Sequence, residues 1–174
     1  MDFYIDIQIN PDEEMRENVL LNKVYTKLHK ALHTLDSTSV GVSFPQYNVM
    51  LGRVLRIHGS EANLRILDEM KWLGGLIGYC DVSEVLAVPS DAKYRVVSRK
   101  QSSMSQAKLR RLAKRRSLKD SDVKEYKAKM FGKGLDEPYL ELSSTSNGHS
   151  YRRYLSFGGI QDNPVSGVFD QFGL

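Results

Sequence analysis

The chain is poor in features that mark secreted and membrane proteins. It has one cysteine, Cys80, which excludes an internal disulfide and favours a reducing cytoplasm. No apolar run approaches the roughly 18 residues that a membrane span needs. The opening residues carry acids where a signal peptide carries basic residues. We therefore expect a cytoplasmic protein that does not cross a membrane.

Several catalytic and cofactor-binding motifs are also missing. The chain has no phosphate-binding loop, no dinucleotide-binding glycine fingerprint, no nucleophile elbow and no zinc-finger spacing. His29 and His33 form an H-x-x-x-H pair, but this spacing supplies neither the third ligand nor the acid that zinc catalysis normally uses. We therefore expect no metal and no cofactor.

Acidic residues are absent from residues 92–119, which contain 11 lysines and arginines. Residues 1–91 contain 8 basic and 13 acidic residues, whereas residues 92–174 contain 17 and 8. A patchy surface charge is the simpler interpretation of this asymmetry. The complete absence of acids over 28 residues instead favours a polyanionic partner for the second half.

One segment of this basic region has the pattern of a helix. Ser105 is a suitable N-cap for a helix running to about Ser117, with Leu109, Leu112 and Ala113 forming a thin apolar seam. The seam favours a docked helix over a solvated basic face, and phosphates would relieve the repulsion among its cations. These cations are Lys108, Arg110, Arg111, Lys114, Arg115 and Arg116.

The hydrophobic pattern predicts an α+β protein. Residues 3–9 alternate as a strand does, and a stripe from Leu20 to Leu35 predicts a helix from about Glu13 to Leu35. Further elements are predicted as strands at 40–44 and 54–58, a helix from Ser60 to Gly74 and a strand at 85–88. This order is the ferredoxin-like βαββαβ arrangement, which RRM-type RNA binders share with many unrelated proteins.

We predict two domains from these patterns. A ferredoxin-like domain occupies residues 1–91, and a smaller α+β domain with the arginine-rich helix occupies residues 92–174. In the second domain, Tyr139–Ser143 and Tyr151–Phe157 are predicted strands around a polar loop whose Asn147-Gly148 pair is typical of a hairpin turn.

His29, on the helix predicted from about Glu13 to Leu35, is the main candidate for acid–base chemistry. On a helical wheel it lies about 130° from the centre of the apolar stripe, so its ring is free to contact solvent or a ligand. An ordinary surface histidine is the commoner meaning of such a position. The residues alone leave open a passive RNA-binding module and a ribonuclease that needs no metal.

A series of short motifs extends over nearly the whole chain. They are Met1-Asp2-x-Tyr4-x-Asp6-Ile7, Lys27-Leu28-His29-x-Ala31-Leu32, Gly41-Val42-Ser43-Phe44-Pro45, Leu55-Arg56-Ile57-His58, Val88-Pro89, Val97-Ser98-Arg99-x-Gln101, Leu109-Arg110-Arg111, Arg115-Arg116 and Ser144-x-Ser146 with Gly148 and Tyr151. In order and spacing the series resembles the subtype I-F CRISPR repeat-processing endoribonucleases.

This resemblance implies a metal-independent endoribonuclease that binds the stem-loop of CRISPR repeat RNA and cleaves at its 3′ base. The RNA's 2′-hydroxyl would attack the adjacent phosphate, leaving a 2′,3′-cyclic phosphate. His29 would be the general base or proton shuttle, and Ser144 would hold the 2′-oxygen. Phe172 stands where the family has a tyrosine that packs on the catalytic histidine. The alternative is a non-catalytic RNA-hairpin-binding module with an RRM-like fold.

The resemblance also implies how RNA is held. Arg99 and Gln101 would read base edges, and Tyr151 would stack on a nucleobase. The basic helix would lie in the groove of the stem, and Ser146 and Asn147 would contact RNA nearby. The enzyme would stay on the mature guide RNA in the prokaryotic cytoplasm, as a subunit of the type I-F surveillance complex. Leu112, Ser117 and Asn147 replace an arginine, a histidine and a threonine of the family pattern.

Overall fold

The protein has an α+β fold with two antiparallel sheets. A computed structural model describes residues 1–100, 106–115, 119–132, 137–143, 148–165 and 167–174. The first half contains β1 (Phe3–Ile9), α1 (Glu17–Thr34), β2 (Gly41–Ser43), β3 (Val54–Gly59), α2 (Glu61–Glu69), a 3-10 helix (Gly74–Tyr79), β4 (Cys80–Val82) and β5 (Leu86–Ala87). The second half contains β6 (Val97–Lys100), α3 (Gln106–Arg115), α4 (Asp120–Gly132), β7 (Tyr139–Ser143) and β8 (Ser150–Phe157).

The first sheet has the strand order β2-β3-β1-β4, and β5 also pairs with β1. Every pairing is antiparallel, and Ile5 lies opposite Ile57 in the β1–β3 register. This order is consistent with the ferredoxin-like arrangement.

The strand predicted at 85–88 is confirmed in shortened form as β5, but the prediction missed β4, and Ser83 lies between the two. The Ser83 hydroxyl accepts a hydrogen bond from the backbone N–H of Asp6 at 2.9 Å, and the N–H of Ser83 donates to the carbonyl of Asp6. A side chain therefore satisfies β1 at the point where the backbone ladder is interrupted.

The start of α1 also differs from the prediction. The helix begins at Glu17 rather than near Glu13. The carboxylate of Asp12 accepts hydrogen bonds from the N–H groups of Glu14 and Met15, so these residues form a turn closed by a side chain before the helix begins.

The second sheet has the strand order β6-β8-β7. The strand predicted at Tyr139–Ser143 is confirmed, and the one predicted at Tyr151–Phe157 begins one residue earlier. Along β8, Arg153 and Leu155 are buried, whereas Arg152 next to them is exposed. The sheet therefore has one face toward the core and one toward solvent.

Helix α1 packs against strands of both sheets. Its buried side chains share one apolar cluster with Ile7 of β1 and with Leu140 and Leu155 of the second sheet. The buried residues of α1 are Leu20, Leu21, Val24, Tyr25, Leu28, Ala31 and Leu32. The division into domains near residue 91 stays a prediction.

The C-terminal segment returns to the first sheet. The N–H of Val42 donates to the carbonyl of Gly173 at 2.9 Å, and the N–H of Phe169 donates to the carbonyl of Thr38 at 3.1 Å. The Phe169 ring lies so close to Gly41 that a methyl group there would stand 2.7 Å from it. These contacts dock residues 167–174, called here the tail, against β2 and the segment that precedes it.

Candidate active site

The site is built around the imidazole of His29, which is partly buried on α1. Its Nδ1 lies 2.8 Å from the carbonyl oxygen of Gln171. Because a carbonyl oxygen can only accept a hydrogen bond, Nδ1 carries the proton in this contact. In the neutral ring, Nε2 then has the free lone pair and is the atom that can accept a proton.

One face of the His29 ring is covered by Phe172. The two ring centroids lie 3.6 Å apart, and the ring planes are 10° from parallel. The backbone carbonyl of Phe172 accepts a hydrogen bond of 2.7 Å from the hydroxyl of buried Tyr25, one turn before His29 on α1. The structure thus brings together two of the predicted catalytic residues, one from each end of the sequence.

The Phe172 ring has a second neighbour, Arg153 of β8. The guanidinium carbon lies 3.3 Å from the ring centroid, and the Arg153 side chain is 5% exposed. Groups this close to the ring centroid must lie above or below the ring plane, because the ring atoms block an approach within the plane. One face of the ring has no room for both side chains. The two side chains therefore lie on opposite faces of Phe172.

Asp170 holds this arrangement at the tail. Its Oδ1 accepts hydrogen bonds from the N–H groups of Phe172 at 2.8 Å and Leu174 at 3.2 Å. Its Oδ2 accepts one from Nη1 of Arg153 at 3.2 Å. One carboxylate thus closes the turn that presents Phe172 and neutralises the cation behind it.

The surroundings lower the pKa of His29 below its ordinary value. Burial is the main cause, the positive charge of Arg153 acts in the same direction, and so does His33. The Gln171 carbonyl and the Asp170 carboxylate oppose this effect. The net result is a neutral imidazole at neutral pH, as a proton acceptor requires.

Two predicted RNA-binding residues lie on the face of the second sheet that Arg153 occupies. Tyr151 precedes Arg153 by two residues on β8 and is 36% exposed. Arg99 of β6 is exposed and lies opposite Leu155 in the β6–β8 register, so both point to the same side.

Among the described side chains of the basic helix α3, one is deeply buried. Leu109 is 6% exposed, whereas Leu112 is half-buried and Ala113 is exposed, so the apolar seam is narrower than predicted. The side chains of Lys108, Arg110, Arg111, Lys114 and Arg115 are exposed. The helix therefore presents cations around most of its circumference.

Five predicted site residues lie outside the residues that the structure describes. They are Gln101, Arg116, Ser144, Ser146 and Asn147. Their suggested roles stay predictions.

Arg153, Asp170 and Tyr25 were not predicted as site residues from the sequence. Arg153 had a usable signal, because it alternates with Tyr151 and Leu155 on the inward side of a strand, where an unpaired charge is rare. Asp170 precedes Phe172 by two residues, the spacing at which an aspartate bonds to the backbone. Their meeting with His29 had no local signal.

His33, the second member of the H-x-x-x-H pair, is exposed, and its ring centroid lies 6.4 Å from that of His29. Among the described residues, no group of three or more histidine, cysteine or acidic side chains lies close enough together to hold a metal ion. Within the same part of the chain, no helix is long and apolar enough to cross a membrane.

The chain as a whole is similar to known proteins. Residues 4–174 match the family model described as CRISPR-associated protein (Cas_Csy4). The CRISPR-associated endonuclease Cas6/Csy4 of Escherichia coli (strain UTI89 / UPEC) is 37% identical over 175 residues, covering 100% of this chain and 95% of the relative. The protein of the same name from Pseudomonas aeruginosa (strain UCBPP-PA14) is 35% identical over 178 residues, with the same two coverages.

Proposed function

The chain belongs to the Cas_Csy4 family of CRISPR-associated proteins, and on that premise we propose that it is a CRISPR repeat-RNA endoribonuclease that uses His29 as its base. Its relatives bear the name endonuclease. The observation that carries the proposal is the imidazole of His29, whose Nδ1–H is engaged by the Gln171 carbonyl while Nε2 is left to accept a proton.

The proposed reaction is a transesterification within the RNA. Nε2 of His29 takes the proton of the 2′-hydroxyl, and the resulting oxygen attacks the adjacent phosphorus. The bond to the 5′-oxygen of the next nucleotide breaks, and that oxygen leaves as a 5′-hydroxyl by taking a proton from the His29 imidazolium or from water, which restores the neutral imidazole in the first case. The other product is a 2′,3′-cyclic phosphate. The nucleophile belongs to the substrate, so the step needs proton transfer and alignment but no metal.

Ser144 is proposed to align the 2′-oxygen. It follows directly after Ser143, the last residue of β7, and β7 pairs with the strand that carries Arg153. The hydroxyl of a serine can donate a hydrogen bond to the attacking oxygen, so it can hold that oxygen while the proton of the 2′-hydroxyl stays available to His29. Phe172 is proposed to orient the histidine by covering one face of its ring.

RNA binding is proposed to come mainly from the second half of the chain. The exposed cations of α3 suit the phosphates of a hairpin stem, and the planar side chains of Arg99 and Gln101 suit base edges. Tyr151 offers a half-exposed ring for an unpaired base. Ser146, Asn147 and Arg116 are proposed to add backbone contacts.

The proposed division of labour assigns residues 1–91 to catalysis and residues 92–174 to RNA binding. The contacts of His29 qualify this division, since Phe172, Arg153 and Asp170 come from the second part. After cleavage we propose that the enzyme keeps the hairpin of the guide RNA and joins the type I-F surveillance complex.

The decisive experiment is cleavage of repeat hairpins in EDTA under single-turnover conditions. We expect His29→Ala to bind the hairpin as tightly as the parent and to cut at least roughly a hundredfold more slowly, because a positioned base contributes about 10²–10⁴ to the rate. His33→Gln, one turn away on the same helix, is the matched control and should cut near the parental rate.

A hairpin with a 2′-deoxy sugar at the cut site should bind tightly to the parent and remain whole. If His29→Ala cuts as fast as the parent, the base is assigned wrongly. If the parent cuts no repeat hairpin, the passive RNA-binding module is the better description.

A further inference from the structure

The ring that covers His29 has no hydroxyl by which it could be held. The family resemblance expects a tyrosine where this chain has Phe172, so here only the two ring faces and the backbone are available for positioning. The structure occupies all of them, since His29 covers one face, Arg153 the other, and Asp170 and Tyr25 bind the backbone.

Resting on the proposed function, we propose that Arg153 and Asp170 are positioning residues, which together press the Phe172 ring against His29 and hold the imidazole in its proton-accepting orientation. A guanidinium over an aromatic face is an attractive contact, and it is stronger when desolvated, as the nearly complete burial of Arg153 makes it. Asp170 keeps the guanidinium at that place through Nη1.

The burial of Arg153 argues that it is there for more than stability. Among the described residues its Nε is a buried polar atom without a hydrogen-bond partner. A buried donor left unpaired costs stability, and a leucine or methionine at this inward position would avoid the cost. A charge retained at such a site needs another explanation, and its contact with the catalytic ring stack supplies one.

Arg153 also acts on His29 electrostatically. The groups that face His29 within the described residues are His33 on its own helix, Arg153 on β8 and Asp170 in the tail. The positive charge of Arg153 disfavours a second proton on the imidazole and so lowers its pKa. Removing that charge should raise the pKa of His29. Poorer packing that exposed the ring would raise it too, because burial is the main cause of the low value. A pKa that falls back when Arg153→Lys restores the charge therefore identifies the electrostatic effect.

The test combines three variants with two measurements. Arg153→Met keeps an unbranched apolar side chain but removes the guanidinium and its charge, and Arg153→Lys restores a charge without the planar group. Arg152→Met is the matched control, because Arg152 contacts the ring of Tyr139 on the exposed face of the same strand. The measurements are the single-turnover cleavage rate at saturating protein and the titration of the His29 ring by NMR in the free protein.

We expect Arg153→Met to cut roughly 10- to 100-fold more slowly, as small misplacements in active sites do, and to titrate His29 at a higher pH than the parent. Arg153→Lys should reverse part of both effects. Arg152→Met should match the parent in both. Asp170→Asn keeps an oxygen that can accept the hydrogen bonds of the tail turn but removes the charge, and it should slow cleavage as Arg153→Met does. It replaces Arg153→Met as the test if that variant fails to fold.

Parental rates in Arg153→Met and Asp170→Asn would overturn the proposal. So would a slower rate of Arg153→Met with an unchanged His29 titration, because that result describes a residue that only fills space. If the parent cuts no hairpin, the proposed function fails, whereas the titration still decides whether Arg153 acts on His29.

Discussion

His29 and His58 are both histidines with a lowered pKa, but their surroundings differ. His29 keeps one nitrogen available beside a stacked ring. His58 of β3 has its Nε2 2.7 Å from the hydroxyl of Ser43, and Arg56 two residues earlier forms a bidentate pair with Asp6. Burial, followed by the charge of Arg56, lowers the pKa of His58 to about 4. His58 is therefore a structural histidine, which contributes to stability only while it is neutral.

We predict that His58 makes stability depend on pH. The unfolded chain binds a proton at the ordinary value of 6.5, whereas the folded protein binds it only near 4. The stabilising contribution is thus complete above pH 6.5 and declines as the pH falls toward 4. As the pH falls from 6.5 to 4, the free energy of unfolding of the parent should decrease relative to that of His58→Gln by up to about 3 kcal/mol. Urea unfolding of both proteins at pH 7 and pH 4.5 measures the difference, and a constant difference would contradict the prediction.

Helix α3 buries few of its described side chains. Leu109 is its one deeply buried side chain among those described, and the cations around it repel one another. Helix α1, with seven buried residues, is stabilised mainly by packing. The contrast suits their proposed roles, since a helix for phosphate binding must expose its charges and a helix that carries a base must be rigid.

The salt dependence of RNA binding should report on α3. Changing Arg110, Arg111 and Arg115 together to glutamine should weaken hairpin binding and flatten its dependence on salt. The slope of log affinity against log salt concentration should fall by roughly 0.7–0.9 for each phosphate that the variant no longer neutralises. Filter binding from low to high KCl measures this slope. As a control, Arg53 and Arg65 of the first half, which pair with Glu17 and Glu61, are changed to glutamine. This control should leave the slope unchanged. An unchanged slope in the α3 variant would show that the helix faces away from RNA.

At the scale of the whole molecule, the tail completes the surroundings of the proposed base, His29. Besides the contacts of Phe172 itself, the packing of Phe169 against Gly41 and the hydrogen bond between Gly173 and Val42 fix the tail on the first sheet. Gly173 has a φ of +75° and lies against Val42, so both the turn and the close approach favour glycine. Docking of the tail is thus coupled to the geometry of the proposed base.

Gly41→Ala tests this coupling at a distance from the chemistry. Its methyl group would stand 2.7 Å from the Phe169 ring, which must move and displace the tail. We expect a decrease of about 1–3 kcal/mol in free energy of unfolding, as for overpacked cores, together with slower cleavage and unchanged hairpin binding. Gly75→Ala is the control, because a methyl group there meets nothing within 4 Å. Full cleavage activity in Gly41→Ala would show that the tail does not need this contact.

Local patterns were enough to predict most elements and several site residues. The stripe on α1 and the alternation in β1, β7 and β8 follow from burial of one face, which a sequence records at fixed spacing. The acid-free basic segment likewise predicted an exposed cationic helix, and the family resemblance directed attention to His29 and Phe172. Irregular details such as the Ser83 interruption between β4 and β5 were missed, because they depend on a side chain bonding to a distant strand.

Only the tertiary structure decided what surrounds His29. Residues 29, 153 and 172 are far apart in the chain, and no periodicity links them. Their meeting depends on how α1 packs against the second sheet and on where the tail docks, which are properties of the whole core. Sequence spacing can place a histidine on a helix face, but its tautomer, its pKa and the ring stacked on it depend on atoms brought together by folding.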